Sequence, residues 1–145
     1  MTQYYIILDI ETTGLPDDWD APAEDIDNWP GILEIAWQLY NDKGELFNEE
    51  SLIIRPDGEK ISKEIEELTG ITTDYANENG VSQLTALTKF TSVLQKFNPA
   101  LVAHNCEFDT KVIEAALLKN DIGISLSSYE QICTMKESTE FCDLP

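Results

Sequence analysis

Residues 4 to 10 read Tyr-Tyr-Ile-Ile-Leu-Asp-Ile, a nearly unbroken apolar and β-prone run that carries a carboxylate close to its end. A continuous run of this kind suits a strand covered on both faces better than one wetted along one side. It predicts a central strand, with the other elements layered around it. Thr13-Gly14-Leu15-Pro16 ends the run, and residues 17 to 29 follow with six acids and no base, a composition that reads as a long loop.

The chain of 145 residues is long enough to bury roughly two-thirds of its extended surface, and its 42 % hydrophobic residues suffice for one core. Charge is strongly one-sided: 28 Asp and Glu oppose 9 Lys and Arg, a formal net charge of −19. Such a balance opposes broad adhesion to DNA or anionic lipid, so a nucleic-acid partner has to be met through cations. No stretch approaches the ~20 apolar residues of a membrane helix, and the N-terminus lacks the basic region of a secretory signal. The expectation is a cytoplasmic protein without membrane contact. Cys106, Cys133 and Cys142 form no C-x-x-C pair, which argues against a disulfide framework and a zinc site.

Strands are predicted at Ile32 to Tyr40 and Leu46 to Ile54, joined by the turn-rich Asn41-Asp42-Lys43-Gly44-Glu45. With the first strand they form an antiparallel meander. Ser62 heads a short acidic helix that Gly70 closes. A second helix follows Ser82, with Leu84, Leu87, Phe90, Leu94 and Phe97 at helical spacing and Asn98-Pro99 as its stop. Ala100 to Ala103 form a strand, Glu107 to Asn120 a helix, Tyr129 to Cys133 a further strand, and Thr134 caps a last helix. Strands first and then alternating helices and strands define a mixed α/β layered domain.

Asp9 and Glu11 are one residue apart on a strand, so their side chains leave the same face within about 7 Å. Like charges so placed repel unless a proton or cation intervenes, although a pair closing a strand is also a common solvated turn. Asp109 sharpens the choice. On a helix starting near residue 106 it shares a face with Val112, Ile113, Ala116 and Leu117. A carboxylate on an apolar face costs several kcal/mol or takes a proton, so a metal or a buried partner has to hold it. With so few basic residues, a hard divalent metal is the economical answer.

Leu8-Asp9-Ile10-Glu11-Thr12-Thr13-Gly14-Leu15 resembles the first motif of the DEDD superfamily of exonucleases, and His104-Asn105-Cys106-Glu107-Phe108-Asp109 resembles the second. Leu68-Thr69-Gly70-Ile71-Thr72 and Ile132-Cys133-Thr134-Met135 are similar to the branch that contains the proofreading epsilon subunit of bacterial DNA polymerase III. The resemblance spans nearly the whole chain, with residues 16–30 as an acidic insertion. It implies a ribonuclease-H-like mixed sheet, antiparallel in its first three strands and then parallel, flanked by helices. It also implies 3'-to-5' removal of nucleotides from single-stranded DNA or RNA ends, with a polymerase subunit as a partner. By the same resemblance Asp9, Glu11 and Asp109 hold two Mg²⁺ or Mn²⁺ ions and are the catalytic carboxylates. Ile10, Thr12, Thr13, Gly14 and Leu15 fall on the substrate side, Thr12 against the terminal nucleotide and Leu15 against the last base. His104 and Asn105 belong to that side too, though they chiefly shape the turn that presents Asp109.

The chain departs from the pattern in one respect. The superfamily uses a fourth carboxylate, preceded by a His five residues earlier or a Tyr four residues earlier, beyond the second motif. His104 is the only histidine, and no acid after Asp109 stands in that arrangement. Residues 1–145 therefore read as a single exonuclease domain without its C-terminal helix and third motif, a truncated form expected to be nearly inactive. The alternative is a non-catalytic nucleic-acid-binding or interaction module that keeps the fold. Trp19 and Trp29 in the acidic loop are either stacking groups for unpaired bases or covers for the edge of the core.

Overall fold

The structure is a computed structural model that describes residues 1–143. Five strands form one sheet in the order β3-β2-β1-β4-β5, where β1 is Tyr4–Thr12, β2 Ile32–Asn41, β3 Leu46–Ile53, β4 Ala100–Ala103 and β5 Gln131–Cys133. β1 pairs antiparallel with β2, and β2 with β3. β4 lies parallel to β1 on its other side, and β5 parallel to β4. The expected antiparallel meander followed by parallel strands is the observed topology. Helices are α1 (Lys63–Thr69), α2 (Thr73–Asn79), α3 (Gln83–Phe97), α4 (Cys106–Lys119) and α5 (Thr134–Cys142).

The core lies on one face of the sheet. Ile6, Leu8 and Ile10 of β1 sit beside Leu39, Trp37 and Ile35 of β2 in register. They pack with Leu87, Phe90 and Leu94 of α3 and with Val112, Ile113 and Ala116 of α4. A smaller cluster of Leu33, Ile61, Ile71 and Ala76 seats α1 and α2.

β1 differs from expectation in being covered on one face only. Its burial alternates, and Ile7 is 48 % exposed although its neighbours Ile6 and Leu8 are buried. The run is continuous in hydrophobicity, but among the described residues α3 and α4 both pack against the Ile6–Leu8–Ile10 face, which leaves Tyr5, Ile7 and Asp9 on the open one.

Local chemistry explains the boundaries. Ser62, Thr72 and Ser82 accept amide N–H bonds at the starts of α1, α2 and α3. Gly70 ends α1 in the left-handed conformation at φ 75°. The hairpin between β2 and β3 is held by Asn41, whose side chain bonds the Lys43 and Glu45 amides and the Glu45 carboxylate. Helix α2 was not anticipated from sequence, because its run Thr-Asp-Tyr-Ala-Asn-Glu-Asn has only Ala76 to bury. Two boundaries also shift. Tyr129 and Glu130 follow a 3-10 turn at Leu126–Ser128, so β5 begins only at Gln131. Thr134 is the first residue of α5 and caps nothing; its hydroxyl bonds the Ala103 carbonyl at 3.4 Å and faces His104 Nδ1 at 3.1 Å.

Candidate active site

The site forms where β1 ends against the start of α4. Asp9 stands on the open face of β1, opposite Ala36, and Glu11 follows on that face opposite Glu34. A register shift between Glu11 and Thr12 releases the chain into the acidic loop, as bulges at sheet ends often do. The departing segment is tied back by Thr12, whose hydroxyl donates to the Gly14 carbonyl at 2.7 Å, and by the Thr13 amide, which donates to the Gly31 carbonyl at 2.9 Å. Gly31 N–H returns a bond to the Thr13 hydroxyl at 3.0 Å. Leu15 is left 71 % exposed.

From the other side, Asn105 adopts φ 63° and turns the chain from β4 into α4. Its side chain makes no capping bond. That reversal aims Asp109 inward, where it is 4 % exposed, while His104 before it stays exposed. Burial first, and the charge of Asp9 second, push the Asp109 carboxyl up to about 7; the backbone amides of Asp109 and Ile10 partly oppose the rise. Glu11 is also raised, by burial and then by the charges of Asp9 and Glu34. Burial pushes the Cys106 thiol up to about 11, so it stays neutral at the foot of α4.

Sequence reasoning placed Asp9, Glu11 and Asp109 near one another, and the structure brings them to one end of the sheet, with electrostatic coupling of Asp9 to each of the others. It missed Glu34, which contributes a further negative charge across the strands from Glu11 and accepts a bond from Ser51 Oγ at 2.6 Å. Only the β1–β2 register could have revealed it. Of the remaining residues, Thr12, Thr13, Gly14 and Leu15 line the exit from β1, and His104 and Asn105 form the turn into α4. Ile10 is buried in the core, and only its backbone faces Asp109.

Among the described residues no basic group pairs with these carboxylates. Among the described residues the ion pairs are Lys89–Glu50 and Lys111–Glu107, and neither reaches them. Nor, among those residues, does any group of three or more His, Cys, Asp or Glu side chains stand close enough together to hold a metal ion. The arrangement is open, which fits a hard cation that takes one or two carboxylates and completes its shell with water and phosphate oxygens. A hollow of about 570 Å³ lies beside it over Ile7, Asp9, Ala36 and Gln38.

A mixed five-stranded sheet with carboxylates from its central strand β1 and from the helix α4 that follows β4 defines a ribonuclease-H-like nuclease fold. The sequence profile of the family RNase_T, described as Exonuclease, matches residues 6–124, and the chain belongs to that family, within the DEDD exonucleases. It is 30 % identical over 116 residues to the DNA polymerase III PolC-type of Ureaplasma parvum serovar 3, a match covering 79 % of this chain and 7 % of that protein. E. coli exonuclease I in complex with a 5cy-dA13 oligonucleotide superposes with a TM-score of 0.78 at 15 % identity, over 98 % of this chain and 30 % of that one. The zinc-bound form of the E. coli exonuclease I complex with single-stranded DNA gives 0.79 at 15 % identity, over 99 % and 30 %. The chain thus spans under a third of these structures and a small part of its polymerase relative. Among the described residues no helix is long and apolar enough to cross a membrane.

Proposed function

We propose that this chain is the core of a metal-dependent 3'-5' exonuclease that hydrolyses the terminal phosphodiester of single-stranded DNA or RNA and releases nucleoside 5'-monophosphates. The observation that carries this is Asp109, a carboxylate 4 % exposed beside Asp9 with no basic partner. A buried acid so placed is stable in its charged form only beside a cation. Asp9, Glu11 and Asp109 are the residues that would hold Mg²⁺ or Mn²⁺. Two such ions, when bound, supply an activated water and stabilise the leaving 3'-oxygen.

The rest is the work of the chain itself. The Thr12–Leu15 segment, fixed by its bonds to Gly14 and Gly31, receives the terminal nucleotide, with the Leu15 side chain against the last base. His104 and Asn105 hold the turn that aims Asp109. Beyond Asp109 no acid of this chain is preceded by a His five residues or a Tyr four residues earlier, so hydrolysis by the chain alone is slow, by the 10²- to 10⁴-fold a general base contributes. A second reading is a non-catalytic binding module that keeps the fold. The PolC-type relative supports a proofreading setting beside a polymerase subunit.

Calorimetric titration with Mn²⁺ of wild type, Asp9→Ala and Asp109→Ala, together with degradation of labelled single strands, tests the assignment. Binding that needs both carboxylates, with shortening from the 3' end, supports the exonuclease. Carboxylate-dependent binding with no shortening, even over incubations long enough to reveal the slow rate expected of the chain alone, favours the module, and absence of Mn²⁺ binding overturns the metal assignment.

A further inference from the structure

Trp19 is 50 % exposed, whereas Trp29 and Trp37 are 7 % and 2 % exposed. Its exposure does not come from a loose loop. The Asp18 amide donates to Asn28 Oδ1 at 2.7 Å, and Asn28 Nδ2 returns a bond to the Asp18 carbonyl at 2.9 Å. Trp29 Nε1 bonds the Pro22 carbonyl at 3.0 Å, and Lys111 Nζ reaches across from α4 to the Trp19 carbonyl at 3.3 Å. The Trp19 ring is supported by Phe108, with centroids 5.5 Å apart and planes inclined by 42°. A small hollow of about 140 Å³ between Trp19, Trp29, Asn105 and Phe108 adjoins it.

The location ties this ring to the carboxylates at both ends. The loop departs from the Thr12–Leu15 segment, and Phe108 immediately precedes Asp109. The loop therefore spans from the end of β1 to the start of α4 and presents two exposed apolar side chains, Leu15 and Trp19, along that span.

We propose that Trp19 is a stacking shelf for an unpaired nucleobase of the substrate strand. This deepens the exonuclease reading and rests on it. The charge around the shelf selects a base over a phosphate. Asp20 and Glu107 line the hollow beside it, Asp17 and Asp18 precede it in the chain, and the nearby Lys111 is already paired with Glu107 at 3.1 Å. A phosphate gains little there, whereas the uncharged face of a base gains contact without meeting the acids. Stacking on an aromatic ring is indifferent to sequence and requires the base to be free of its own stack, so the shelf favours single strands over duplex.

The test is binding of a short 5'-labelled oligothymidylate, followed by anisotropy, with Ca²⁺ in place of Mn²⁺ to keep the strand intact. A strand of the same length and phosphate count but without bases serves as comparison. Wild type should bind the base-bearing strand more tightly, Trp19→Ala should lose about 5- to 150-fold of that affinity, and Trp19→Phe should recover most of it. The abasic strand should bind wild type and Trp19→Ala alike. Equal binding of the two strands by wild type, or equal affinity of Trp19→Ala and wild type for oligothymidylate, overturns the shelf and leaves the exonuclease reading intact. Failure of wild type to bind either strand overturns the underlying reading instead.

Discussion

Replacing Asp109 with Asn removes a buried charge while nearly preserving shape, and its effect on stability has a calculable dependence on pH. The Asp109 carboxyl titrates at about 7 in the folded chain against an ordinary value of 3.8. The folded state therefore holds the proton more tightly than the unfolded state between those values. Stability from the protonated form is fully present below the lower value and is lost as pH rises to the upper one. Each pH unit removes about 1.4 kcal/mol, on the order of 4 kcal/mol over the whole interval. Asn at this position does not titrate. In chelator, urea unfolding at pH 5, 6, 7 and 8 should show the advantage of Asp109→Asn over wild type growing by about 1.4 kcal/mol per unit up to pH 7 and flattening above it. Comparing the two proteins cancels the other acids. Saturating Mn²⁺ at pH 7.5 should then shrink or reverse the difference, by about 2.7 kcal/mol at a hundred times the dissociation constant. A gap that is the same at every pH would refute the placement of a buried, proton-holding carboxylate at 109.

Further substitutions probe the surroundings. Gly80→Ala should destabilise by about 1–3 kcal/mol in chemical denaturation, because a Cβ there would lie 2.8 Å from the Arg55 backbone nitrogen and collide with the Ala76 carbonyl. Glu34→Gln removes one of the charges that raise Glu11, so the Glu11 carboxyl should titrate at lower pH in carbon-detected NMR. Lys111→Met breaks the bond to the Trp19 carbonyl and the pair with Glu107. Its loss should speed amide exchange at residues 17–29 with little change in global stability, since an ion pair partly open to solvent contributes only about 0–1 kcal/mol.

Much of the architecture was legible from residue patterns because it depends on local chemistry. The caps Ser62 and Ser82, the stop at Gly70 and the hairpin at Asn41 act within a few residues of themselves, and they fell where the sequence put them. The apolar face of α4 likewise dictates that Asp109 points inward. What the sequence could not carry were relations between distant segments. A run such as Tyr4 to Ile10 has the same hydrophobicity whether one layer or two cover it, so the exposure of Ile7 emerged only once α3 and α4 took the same face. Glu34 became part of the acidic cluster only when β2 paired in a register that set it opposite Glu11. The fates of the loop tryptophans were set by tertiary contacts as well: Trp29 went into the core, while Trp19 came to rest half-exposed on Phe108. Patterns along the chain specify which face of an element is apolar; which partner that face meets, and which charges then become neighbours, follows from packing across the whole sheet.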